Sequence, residues 1–167
     1  MRSAGVHEAP GPAESGESVK DALQQTLDEA RMVLPGVQAL FGFQLIAVFS
    51  DGFERRLGTV EQSLHLAAIV FVTIAIAIVM TPAAYHRQVE PRRATVSFLV
   101  LASRLVSGAM LPLAAGLSID VYLIARVITG GPALAAAIGA AVFLLFVALW
   151  FAFPQWRAAQ VRRQRHR

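Results

Sequence analysis

The stretch AAIVFVTIAIAIVM, Ala67 to Met80, decides the fold: fourteen residues with one hydroxyl and no charge. With its apolar flanks it extends from about Leu64 to Ala84. At about 1.5 Å per residue a helix of that length reaches roughly 30 Å, the thickness of a bilayer's hydrocarbon core. A second segment of the same kind runs from Pro132 to Phe153, opened by a proline at a position where its missing N–H costs nothing. The whole chain agrees with these two. Of its 167 residues 56% are hydrophobic and 16% charged, against roughly 45–50% and about 25% for a soluble domain. An ordinary soluble domain is excluded on this balance.

Two further spans are predicted. One covers about residues 33–49, short unless the segment before it lengthens the helix, with Pro35 in its first turn. The other lies within the apolar run from Ala94 to Ile128, which also holds Arg104, Asp120 and Arg126. That run is too long for one straight crossing. A register of 98–122 minimises the cost of burying charge, about 2.5–3.5 kcal/mol for an Arg or Asp at mid-membrane. It lets Arg104 snorkel to one surface and leaves Asp120 at the other beside Tyr122. Pro112 then sits near mid-helix, where it frees a carbonyl.

Outside the spans, residues 1–17 read as a disordered polar tail without the apolar core of a signal peptide. Residues 18–32 form an amphipathic lead-in helix, with Val19, Leu23, Leu27 and Ala30 on one face. The membrane domain is then 33–156, and 157–167 is a basic tail. The predicted fold class is all-α: a four-transmembrane-helix bundle with both termini cytoplasmic. Orientation follows from the positive charges. Lys20, Arg31, Arg87, Arg92, Arg93 and the arginines of the C-terminal tail fall on one side, and only Arg55, Arg56 and Arg126 on the other. The inner membrane of a bacterium is the expected location. The arginines are expected to contact anionic lipid headgroups, not nucleic acid.

Chemistry is sparse. The sequence contains neither Cys nor Asn, so disulfides, thiolate sites and N-glycosylation are excluded. Phosphate-binding, dinucleotide, nucleophile-elbow and zinc-protease motifs are all missing. His65 and His86 lie at opposite ends of one span. No enzyme activity, metal or cofactor is expected. The informative residues are polar ones within the spans. Gln38 and Arg104 fall at similar depth on antiparallel helices, which predicts a polar cluster of Glu29, Arg31, Gln38 and Arg104. Such a cluster reads either as a clasp fixing helix register or as the lining of a cavity for a proton or small ion. Gln44 points to another face, toward a neighbouring helix. Glu61 and His65, at i and i+4, read as a solvated helix end with Asp120 near. Gly131, Ala135 and Gly139 form a stripe that lets helices approach closely, within the bundle or between two copies. Gly108, Pro112 and Gly116 repeat that spacing on the preceding span.

Glu29-Ala30-Arg31 followed by Gly36-Val37-Gln38-Ala39-Leu40-Phe41-Gly42-Phe43, then Pro82-Ala83-Ala84-Tyr85-His86-Arg87, together with Arg104, resemble a family of small bacterial four-span membrane proteins. That family is catalogued as a domain of unknown function. The resemblance covers about Thr26 to Trp156 and implies four spans and inner-membrane residence, with no established activity. Some members carry a sodium:proton antiporter label. Proton-coupled exchange needs intramembrane carboxylates, and the register above leaves Asp120 at a surface. Four spans are also few for an inverted-repeat transporter, and no internal repeat is visible.

Overall fold

The computed structural model describes residues 12–89 and 96–165. The described chain consists of helices and short connections. Helix α1 is Pro12–Val48, α2 is Asp51–Arg56, α3 is Thr59–Val89 and α4 is Val96–Thr129. Then α5, Pro132–Val147, passes through a π-helical turn, Ala148–Ala152, into α6, Phe153–Arg165. The first eleven residues of the polar tail, Arg92, Arg93 and Arg167 lie outside the described residues.

Among the described residues three helices are long and apolar enough to cross a membrane: Thr59–Tyr85, Val96–Thr129 and Pro132–Gln164. A fourth apolar stretch, Leu34–Val48, is shorter. Its fifteen residues span about 22 Å. The exteriors of these helices carry Leu66, Val70, Ile74, Leu144, Leu145 and Leu149, all exposed. On a soluble protein so much apolar exterior is unstable. In hydrocarbon it is the preferred surface.

Several boundaries differ from the sequence reading. The helix expected to start at Ser18 starts at Pro12, whose fixed φ suits a first helical position. The lead-in helix and the first apolar segment are one continuous helix, so Pro35 stands in its interior and not in a first turn. The Arg31 carbonyl there loses its intrahelical partner. This is tolerated because Arg31 and Pro35 are both exposed. Residues 123–128 continue α4, since nothing in Leu-Ile-Ala-Arg-Val-Ile breaks a helix. The break comes at Gly130, whose φ of +67 is a left-handed geometry that only glycine adopts cheaply. Arg126 Nη1 donates to the Gly130 carbonyl and closes the turn. The π-helical turn has a local cause as well. Pro154 cannot bond back to the Trp150 carbonyl, and the turn before it widens, with Phe153 N–H bonding to the Ala148 carbonyl.

Packing centres on α4. Its largest interfaces are with α3 and α5, whereas α1 leans more sparsely on α3 and α4. The buried core is mostly alanine: Ala68, Ala75, Ala102, Ala109, Ala114 and Ala135, with Val72 and Phe98 as its largest wholly enclosed side chains. Small residues bring backbones close, which is how helices gain dispersion contact where no hydrophobic effect separates them from lipid. Gly116 sits on Val72 and the Ala68 carbonyl, where an added Cβ would lie 2.9 and 3.1 Å away. At the far end Tyr85 stacks on Phe98, with centroids 5.6 Å apart and planes 10° from parallel.

Candidate functional site

Three helices each bring one polar side chain to a common point. On α1, Gln44 is 4% exposed, and on α3, His65 is 6% exposed. On α4, Asp120 lies nine residues before the end of the helix, about 14 Å along its axis. Gln44 Nε2 donates to Asp120 Oδ2 at 2.7 Å. His65 Nε2 lies 2.9 Å from the Gln44 carbonyl oxygen. A carbonyl only accepts, so Nε2 carries the hydrogen and the ring tautomer is fixed. Nδ1 then faces Asp120 Oδ1 at 3.8 Å. With a proton on either atom the two form a charge-assisted or neutral donor–acceptor pair. Without one, two acceptors face each other.

Neighbouring groups enclose this cluster. Phe53 of α2 meets the His65 ring edge-on, centroids 5.3 Å apart. One turn outward, Arg126 Nε lies 3.4 Å from Glu61 Oε1 and joins α4 to α3. That Nε is buried without a hydrogen bond, so the pair holds by charge. Gln44 Oε1 is likewise buried and unpartnered. Beside the cluster opens a cavity of about 370 Å³, walled by apolar residues of α1, α4 and the α2 segment and reached by Gln44, His65 and Asp120. A second cavity, about 390 Å³, lies along α4 and α5 and includes Ser118, Tyr122 and Gly139. Among the described residues no group of three or more His, Asp or Glu is placed to hold a metal ion.

The predicted cluster of Glu29, Arg31, Gln38 and Arg104 is not assembled by the described contacts. Arg31 is 80% exposed and pairs with Asp28 at 3.5 Å, one turn away on its own helix. Gln38 and Arg104 are both exposed, no hydrogen bond joins them among the described residues, and they line neither cavity. The Glu29 side chain lies outside what is described. Helical rotation gives the reason. Six residues at about 100° each place Gln38 some 120° round the helix from Gln44, so turning Gln44 inward turns Gln38 outward. Arg104 likewise lies away from the face buried through Ala102 and Ala109.

Of the small-residue stripe, Ala135 is wholly buried. A Cβ on Gly139 would meet Tyr122 Cβ at 2.9 Å and the Ser118 carbonyl at 3.2 Å. Gly131 instead caps α5, and its N–H donates to Thr129 Oγ1 at the end of α4.

His65 is thus not a solvated helix end, and Asp120 faces the bundle. The sequence held a signal for this. Glu61 precedes His65 by four residues and Arg126 follows Asp120 by six. On antiparallel helices both offsets run outward, by about 6 Å and about 9 Å, which brings the two opposite charges to similar depth.

Comparison with known proteins adds the family. The profile of a family of unknown function, DUF6328, matches residues 14–154. The chain belongs to that family. The matched region takes in α1 from its third residue, α2 to α5 and the π-helical turn, and with them all members of the Gln44–His65–Asp120 cluster. No curated protein and no solved structure matches the chain. With its apolar helices, this DUF6328 chain is a membrane protein.

Proposed function

We propose that this protein is a four-span protein of the bacterial inner membrane with a structural or interaction role and no enzymatic activity. The observation that carries this reading is how the buried polar groups are used. Gln44 joins α1 to α4 through its side chain and to α3 through its carbonyl, and Glu61 with Arg126 joins α3 to α4. These polar groups hold helices to one another, as interhelical hydrogen bonds do in hydrocarbon. Leu34–Val48 serves as the fourth, short span; the bilayer thins locally or flanking side chains snorkel to meet it. Both termini lie in the cytoplasm, where the arginines meet anionic headgroups. Further copies of the chain pack on the apolar exterior.

The chain has no cysteine, so single cysteines report orientation cleanly. Cysteine at Gln160 is expected to react with a membrane-impermeant maleimide only from the cytoplasmic side, and cysteine at Ser50 only from the outer side. Labelling of both from one side removes the four-span topology.

A second reading is favoured by one observation. Asp120 is a carboxylate inside the bundle facing His65, which supplies the titratable pair that proton-linked transport requires. Proteoliposome flux separates the two. The structural reading expects proton and small-cation flux equal to that of protein-free liposomes. Flux above that level, lost in Asp120→Asn, establishes transport instead.

A further inference from the structure

Arg104 is a cation in apolar surroundings with no acid of its own bundle to pair with. It lies eight residues inside α4, about 12 Å from Val96, exposed between the exposed Val100 and Leu111. Residues 66–89, 96–119 and 132–165 contain no Asp or Glu. The acids of α1 lie on the other side of α4. Arg104 precedes Tyr122 by eighteen residues, five whole turns, and so shares its azimuth. Asp120, which holds Gln44 of α1, stands about 160° round the helix from that azimuth. Among the described residues no hydrogen bond or ion pair reaches Arg104.

Tyr122 packs on Gly139 of α5, so Arg104 points toward the side where α5 would continue. Eighteen residues on from Gly139 stands Arg157, exposed and already in α6. Between the two comes the π-helical turn Ala148–Ala152, an insertion of a kind that recurs at functional sites. α5 packs extensively on α4, and neither the π-helical turn nor α6 makes a comparable interface with it. A gap is left beside Arg104. Its α4 wall carries Ser103 and Ser107, both exposed and within about 100° of Arg104 on the helix. Ser63, Thr73, Thr81 and Ser118 each donate to the carbonyl four residues back. Ser103 and Ser107 make no such bond among the described residues, so their hydroxyls can serve an outside acceptor. Gly108, beside them, has nothing within 4 Å of an added Cβ.

We propose that this gap binds one anionic phospholipid, its phosphate held by the Arg104 guanidinium and the Ser103 and Ser107 hydroxyls. The guanidinium offers five donors in a fork that matches phosphate oxygens, and each hydroxyl adds one. Its side chain leans toward the start of α4, where headgroups lie. The acyl chains run along Gly108 and Leu111. A fatty-acid carboxylate has fewer oxygens than these donors can serve. A zwitterionic lipid would bring its own cation to a place that already holds Arg104 and Arg157. The orientation proposed above decides only which leaflet supplies the lipid; the site itself does not rest on it.

The test is native mass spectrometry of the full chain in non-ionic detergent, with dioleoyl phosphatidylglycerol as the probe. One lipid per chain is expected to be retained saturably, and dioleoyl phosphatidylcholine should bind about tenfold more weakly. Arg104→Gln should weaken retention by about tenfold, and Ser103→Ala with Ser107→Ala by about threefold. Arg162→Gln makes the same charge change on the basic tail and should leave retention unaltered. Equal losses in Arg104→Gln and Arg162→Gln overturn the proposal, because general charge then explains the binding. Equal retention of phosphatidylcholine overturns it too, as does displacement by equal oleate or inorganic phosphate. So does a lipid-free dimer disulfide-linked through Arg104→Cys, since a second copy then covers this face. Should Arg104→Gln fail to fold, the serine pair and the competition series on the unaltered protein decide the question. The assay is indifferent to orientation, so this site and the four-span topology fail separately.

Discussion

Gly139→Val is expected to destabilise the bundle by about 2–3 kcal/mol, through forced overpacking. Even the first added carbon would lie 2.9 Å from Tyr122 Cβ and 3.2 Å from the Ser118 carbonyl. Neither atom is the free end of a flexible side chain, so α5 must move off α4. The two neighbouring atoms belong to one helix, and relief at one cannot come from rotating the other. Thermal unfolding in mild detergent, followed by circular dichroism, should show a midpoint lowered by about 4–8 °C. Gly108 supplies the control. It lies on α4 with nothing within 4 Å of its added Cβ, so Gly108→Val should shift the midpoint little, the gain in helix propensity being about 0.5 kcal/mol at most. Equal losses at both positions would show that Gly139 does not set the distance between α4 and α5.

Asp120→Leu is expected to free α1 from the bundle. It removes the acceptor of Gln44 Nε2 and the partner of His65 Nδ1, leaving two buried polar groups unpaired. An unsatisfied buried group costs about 1–3 kcal/mol. Interhelical hydrogen bonds in membranes are worth about 0.6 kcal/mol on average, up to about 1.7, because the unfolded helices also find partners. A loss of about 1–2 kcal/mol is therefore expected. It should fall mainly on α1, which contacts α3 and α4 more sparsely than those two helices contact each other. Hydrogen–deuterium exchange should quicken across Leu40–Val48 while α3 and α4 keep their protection. Gln44→Leu alone should behave similarly, and the double variant should cost less than the sum, by about 0.5–1 kcal/mol. Strict additivity would mean that the two side chains act independently and that α1 is held by apolar contact alone.

Much of the architecture was legible because it rests on local quantities. Hydropathy over about 20 residues marks a span wherever it occurs, and Ala67–Met80 needs no partner to be apolar. Proline and glycine at 130–132 ended one helix and began another through their own backbone restrictions. The boundaries that went astray were those where continuation depends on surroundings. Pro35 reads as a start because proline suits a first turn, yet an exposed carbonyl let the helix pass through it. The expected register stops at 122, yet the helix runs on to Thr129, where Arg126 pairs with Glu61 and donates to the Gly130 carbonyl.

The polar residues show the limit most clearly. Gln38, Gln44, His65, Arg104 and Asp120 were each visible as anomalies in apolar sequence. Depth along the chain suggested that Gln38 and Arg104 would meet, and Gln44 with Asp120 and His65 met instead. Depth is read by counting residues, but a contact also requires the azimuth of each helix. Azimuth is set by which faces pack, here Gly116 on α3, Gly139 against α4 and Ala102 in the core. The sequence by itself determined that this chain is helical and membrane-embedded, since backbone satisfaction and hydrocarbon transfer are properties of each segment. Only the tertiary structure decided that Gln44, His65 and Asp120 share one buried point beside a cavity, because rotation and axial offset between helices belong to no single segment.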